Sequence, residues 1–185
     1  GRAHIEFRGF PPPARDDLVR ALGKDIVVQE SPWTCSLYVV FNTERRPFDD
    51  PRVRRALSLA VDRWEGSQAL SQIALVKEVG GLQRPGAPFA MPEAELVKLA
   101  GFSRDINAAR EQARRLLREA GIPEGWSFTL KNRDIPMPYE PVGIFLVDQW
   151  RRIGLNVNHL PQETGPFTND LRAGEFEASL DFNCD

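Results

Sequence analysis

The chain is poor in the residues that build catalytic and metal centres. Its 185 residues include only two histidines, two cysteines and two methionines. His4 and His159 stand alone, with no second ligand at metal spacing, so both read as surface or packing residues. There is no G-x-S-x-G, no H-E-x-x-H, no Walker loop and no G-x-G-x-x-G. The pairs Asp16/Asp17 and Asp49/Asp50 are adjacent in sequence and cannot face one another as an acid–base dyad; they read as caps and turn residues. Nothing here supplies the parts of an enzyme, and no cofactor or metal is implied. The formal net charge is only −2, which gives no reason to expect nucleic acid as a partner. Apolar runs fall far short of the roughly 20 residues that a membrane-spanning helix needs, and no signal-peptide pattern is present. Two cysteines do not make a disulfide scaffold, and on composition alone Cys35 and Cys184 read as buried thiols.

What is present is an ordinary globular composition, 42% hydrophobic and 27% charged, long enough for one sizeable core or for one domain plus part of another. Residues 4–8 alternate apolar and polar as a half-buried strand does, residues 15–22 read as a short helix after a triple-proline turn, and residues 25–29 read as a second strand. Residues 80–92, rich in glycine and proline, predict an irregular loop. Asp105 predicts a cap for a helix over 107–120 that Gly121 and Pro123 end. Trp126, Phe128 and Leu130 predict a strand, 139–153 a helix closed by Gly154, 155–157 the start of a strand, 167–171 a helix and 176–182 a last strand. Strands alternating with helices indicate an α/β domain.

The densest signals lie in residues 41–63, FNTERRPFDDPRVRRALSLAVDR. Residues 37–41 predict a buried strand. Asp50 before Pro51 predicts a helix start. Val53, Ala56, Leu57, Ala60 and Val61 fall at helical spacing on one face, with Arg52, Arg54 and Arg55 left as a solvated face. Pro47, Phe48, Asp50, Arg52, Val53, Arg54, Ala56, Leu57, Ala60, Asp62 and Arg63 also match a family pattern. With residues 113–121 (ARRLLREAG), 146–157 (LVDQWRRIGLNV) and 174–177 (GEFE), this stretch resembles the family 5 extracellular solute-binding proteins, the oligopeptide- and dipeptide-binding proteins of ABC importers.

The resemblance implies an α/β fold: one lobe of a two-lobed periplasmic binding protein (type II), a mixed sheet flanked by helices. Residues 1–34 would be the tail of the first lobe leading into the hinge. Residues 35–185 would be the C-terminal ligand-binding lobe, truncated at its C-terminus. The implied function is the substrate-binding component of an importer. Such a protein captures a peptide-like or other small polar solute between its lobes and docks on the importer's membrane subunits. A monomer is implied, in the periplasm or outside the cell, free or lipid-anchored, with a signal peptide in the full-length protein. A sensor or chaperone-like peptide binder on the same fold, and an enzyme on an α/β scaffold, are the alternatives.

The resemblance also names site residues. Tyr38 matches a tyrosine that faces the ligand; packing in the core is its other reading. Thr164 and Asn183 stand where oligopeptide-binding relatives carry tryptophans, and Leu171 and Leu180 where they carry arginines. Asp185 lies one residue short of a carboxylate that holds the peptide amino terminus, which makes it a candidate amine anchor. Cys35 and Cys184 match two cysteines that some relatives join, which implies a disulfide in an oxidising compartment. Tryptophans wall side-chain pockets and arginines pair with carboxylates. Their replacement leaves the cargo open among peptides, opines, sugars, nickel complexes and haem-like molecules.

Overall fold

A computed structural model of the chain describes residues 10–29, 35–74 and 78–184. The elements are α1 (Pro12–Leu22), β1 (Cys35–Phe41), α2 (Pro51–Leu59), α3 (Arg63–Leu70), α4 (Glu93–Leu96), α5 (Ile106–Glu119), β2 (Ser127–Arg133), α6 (Tyr139–Arg151), β3 (Asn156–Gln162), α7 (Thr164–Ala173) and β4 (Ala178–Cys184). The four strands form one mixed sheet in the order β1-β4-β2-β3. Strands β2, β3 and β4 run parallel, and β1 runs antiparallel to β4 along its whole length, from Phe41 opposite Ala178 to Cys35 opposite Cys184. Cys35 is disulfide-bonded.

Strand alternation sets the two faces. Leu37, Val39 and Phe41, Phe128 and Leu130, and Ala178, Leu180 and Phe182 point to the core, where α2, α5 and α6 bury their apolar sides. At its centre Phe48, fully buried, stacks on Phe41 and meets Trp126 and Phe128, while Trp150 packs on Phe41 and Phe128. The Trp150 indole N–H is satisfied by the Leu57 carbonyl at 3.0 Å. On the other face Lys131 Nζ and Gln162 Nε2 both donate to Asp170 of α7, at 2.6 and 2.8 Å. Phe167 of the same helix is buried outside the main core.

Most of the predicted elements form. Asp50 and Asp105 cap α2 and α5 by accepting from Arg52 N and Ala108 N, and residues 78–92 contain no helix or strand. Several expectations fail. The apolar stripe of residues 53–61 is buried, but the helix stops at Leu59 and a new one starts at Arg63 under an Asp62 cap. The arginines are not merely solvated: Arg54 donates to the Phe48 carbonyl at 2.6 Å and Arg52 to that of Glu119 at 2.9 Å. Helix α1 begins at Pro12, so Pro12 and Pro13 form its first turn, where a missing N–H costs nothing. Asp16 and Asp17 therefore sit inside that helix and pair with Arg15 and Arg20 instead of capping. Residues 26–29 form no strand, and Val27 is 84% exposed. The strand expected at residues 4–8 lies outside the described residues.

Candidate functional site

In open α/β sheets ligands bind in the crevice beyond the carboxyl ends of the parallel strands. Here those ends are Arg133 of β2, Gln162 of β3 and Cys184 of β4, and the antiparallel β1 brings its first residues, Cys35 and Ser36, to the same edge. Tyr38 pairs with Asp181, and Arg133 pairs with Gln162. Because Leu130 and Lys131 pair with Ala178 and Ser179, Arg133 stands level with Asp181. A phenol, a carboxylate, a guanidinium and an amide thus stand at one level across four strands.

Arg133 is held from below. Asn132, fully buried, donates through Nδ2 to the Tyr139 carbonyl at 2.8 Å, so its Oδ1 is the acceptor for His159 Nε2 at 2.9 Å. Gly143 permits this approach, since a Cβ there would meet His159 Nε2 and lie 2.8 Å from Asn132 Nδ2. Burial holds the His159 imidazole below its ordinary pKa, with Glu140 opposing. The network places the Tyr139 ring, which packs edge-on against Phe182 and receives a hydrogen bond on its hydroxyl from Arg133 Nη2 at 3.1 Å. Burial raises the Tyr139 phenol, an effect the Arg133 guanidinium opposes. Burial also raises the Tyr38 phenol, and the Asp181 carboxylate adds to it. Both tyrosines are neutral donors at neutral pH.

Tyr38 is 37% exposed and lies opposite the core-facing residues of β1, so the core-packing alternative for it fails. Thr164 opens α7 at the same edge; it is exposed, and its carbonyl accepts from the Thr168 hydroxyl at 2.8 Å. The Asn183 backbone pairs with Ser36; its side chain and Asp185 lie outside the described residues. Leu180 is buried in the core and Leu171 is partly buried on α7. Sequence reasoning missed Arg133, Asp181, Tyr139 and Asn132, because only cross-strand register brings them together. Two open surface hollows of about 570 and 420 Å³ share no residue with the row. No group of three metal-ligating side chains exists among the described residues, and no described helix is long and apolar enough to cross a membrane.

Residues 5–181 match the profile of the bacterial extracellular solute-binding proteins, family 5 Middle. The chain belongs to that family. This family 5 chain is 30% identical over 147 residues to a di/tripeptide-binding protein of Pseudomonas aeruginosa, covering 77% of this chain and 26% of the relative. It is 29% identical over 168 residues to a glutathione-binding protein of Salmonella choleraesuis, covering 91% and 30% respectively. In fold it is similar to the murein tripeptide-binding protein MppA of Escherichia coli, with a TM-score of 0.74 at 21% identity over 95% of this chain and 33% of that one. OppA of Burkholderia pseudomallei is likewise similar, with a TM-score of 0.74 at 20% identity over 94% and 33%. The family 5 chain spans about a quarter to a third of the length of these relatives. The mixed α/β sheet flanked by helices is the architecture of one lobe of a two-lobed periplasmic binding protein.

Proposed function

We propose that the protein is the substrate-binding component of an ABC importer, located in the periplasm or outside the cell, and that its work is binding and not catalysis. It captures a peptide-like or other small polar solute between two lobes. Residues 35–185 form the second lobe and residues 1–34 lead into it from the first. The observation that carries this reading is the row Tyr38, Asp181, Arg133 and Gln162 at the carboxyl edge. These are hydrogen-bonding groups of both charge signs gathered at the carboxyl edge of the sheet, as one side of a closing cleft requires. Tyr38 and Thr164 lie along the same edge, Asn183 joins it through its pairing with Ser36, and Asp185 follows directly in sequence. All four are assigned to the ligand wall. Cys35 and Cys184 are assigned to one disulfide that closes the end of the β1–β4 ladder. Their register, directly opposite on paired strands, supports this.

The test is a thermal-shift screen of the full-length protein against di- and tripeptides, opines and sugars. A ligand at 100 times its Kd raises stability by about 2.7 kcal/mol through linkage, so the matching class shifts the melting temperature by several degrees. The 185-residue chain alone is expected to bind the same ligand far more weakly, having one wall of the cleft. Tight binding by the isolated chain would overturn the lobe assignment.

A further inference from the structure

Charge is unevenly spread over the molecule. The chain as a whole carries −2. Helix α2 nevertheless holds three arginines and no carboxylate, and α5 holds four arginines against two glutamates. The two helices lie side by side and antiparallel. Arg52 at the start of α2 donates to the Glu119 carbonyl at the end of α5, at 2.9 Å; Arg110, early in α5, donates to the Ala60 carbonyl just past α2, at 3.3 Å. Their inner sides are buried, and Arg55, Arg115 and Arg118 are exposed on the outer ones. Glu119 pairs with Arg115 and Asp50 with Arg52, whereas no ion pair joins Arg55 or Arg118 to a described carboxylate. An open hollow of about 420 Å³, lined by Asn107, Arg110, Glu111, Arg114 and Arg152, continues this surface to the end of α6. Glu111 and Asp148 pair with Arg114 and Arg152 there, and the charges of Asp62 and Glu65 act on Arg110 and Arg152. The positive excess is therefore greatest along α2 and α5.

What such a surface takes is decided by what it lacks. A protein interface is anchored by aromatic or aliphatic side chains that become buried, and no large apolar residue of α2 or α5 is exposed. A small-molecule site encloses its ligand, and the hollow beside Arg110 is open. Guanidinium forks spread along adjoining helices instead match phosphate groups spread over a surface, because each fork takes a phosphate through parallel charge-assisted hydrogen bonds. A bilayer containing anionic phospholipid is a surface of that kind. Each basic residue held near it gains about 5-fold in affinity.

We propose that the outer surface of α2 and α5 rests on anionic phospholipid. The proposal draws on the reading of the protein as an importer's binding component, which brings it to a membrane. Flotation of the full-length protein with vesicles tests it. Binding is expected to phosphatidylcholine vesicles containing about a third phosphatidylglycerol and not to phosphatidylcholine alone, and it should vanish at about 1 M salt, where the Debye length is about 3 Å. The Arg55→Gln/Arg115→Gln/Arg118→Gln variant should bind about 100-fold more weakly. An unchanged melting temperature shows that it folds, since exposed side chains with at most one surface ion pair are replaced. Arg20→Gln/Lys24→Gln/Arg172→Gln removes the same charge from residues outside the two helices and should bind as the wild type does. Equal binding of the first variant and the wild type overturns the proposal, as do equal losses in both variants or binding indifferent to phosphatidylglycerol. Attachment to an importer held in uncharged lipid, lost in the first variant while vesicles take up neither protein, assigns the surface to an acidic protein and overturns it too. A protein that binds a solute in the thermal-shift screen but no vesicle loses the lipid surface and keeps the importer reading. One that binds vesicles but no solute loses the importer reading and keeps the surface.

Discussion

Asn132 carries more of the site's geometry than any residue in the polar row itself. Its side chain is fully buried and both of its functional atoms are used, one on the Tyr139 carbonyl and one on His159. A buried polar network is stabilising only while every member is satisfied, and removing one partner leaves the others desolvated. Asn132→Ala is therefore expected to cost about 1–3 kcal/mol, the penalty of unpairing buried groups, measured as a shift in the urea midpoint. The effect should not stop at stability. The Tyr139 ring is what Arg133 rests on, so loosening the start of α6 lets the guanidinium swing. Arg63 shows another way of holding an arginine. Burial pulls its pKa down to about 10, and its donors go to the carbonyls of Ser58 and Gly101 while its charge lies over the Phe102 ring. A cation spent in this way belongs to the scaffold, whereas Arg133 keeps most of its donors free.

Among the elements, the region from β1 to α3 separates what a sequence can show from what it cannot. Caps are local, so Asp50 and Asp105 announced their helices correctly. The break at Ala60–Val61 was hidden, because the apolar face continues through it and both residues are buried. What decides the break is competition: Asp62 caps a second helix through Glu65 N at 3.1 Å, and Arg63 turns inward to Gly101. Asp62→Ala should lower stability by about 1 kcal/mol. Gly101→Ala should cost more, since its φ is +88° and a Cβ would lie 2.7 Å from the Ser58 carbonyl oxygen. Both follow from urea denaturation of the two variants, and equal stability of Gly101→Ala and wild type would contradict this account of the junction. The family resemblance was legible because a sequence pattern can be matched without knowing what its residues touch. Residues in the matched stretches serve the scaffold: Asn42 donates to the carbonyls of Gly174 and Phe176, and Glu177 accepts from Thr129 N. The polar row was not legible, because Tyr38, Arg133, Gln162 and Asp181 are neighbours only after four strands have fixed their register.

For the molecule as a whole, the sheet edge that presents the row is also where the outermost ladder of the sheet ends. Strand β1 begins there at Cys35 and β4 reaches it at Cys184, and these are the last rung of an antiparallel ladder. A bond between them encloses on the order of 150 residues. In the chain-entropy model a loop of that length stabilises by about 5 kcal/mol, as an upper figure, because the unfolded chain loses so much freedom. The cross-link also has a local role. Tyr38 and Asp181 lie three rungs in from it, so fraying of the ladder end would reach the polar row as soon as it passed Leu37 and Phe182. The Cys35→Ser/Cys184→Ser double variant should therefore lose up to about 5 kcal/mol. It should also show faster amide exchange at Leu37 and Phe182 than in the middle of β2, where the ladder is flanked on both sides. Peptide mapping of the unreduced protein should recover the two cysteines in one linked fragment. Free thiols at both positions, or a double variant as stable as the wild type, would remove the clamp from this account and leave the row to be held by Asn132 and the strands alone.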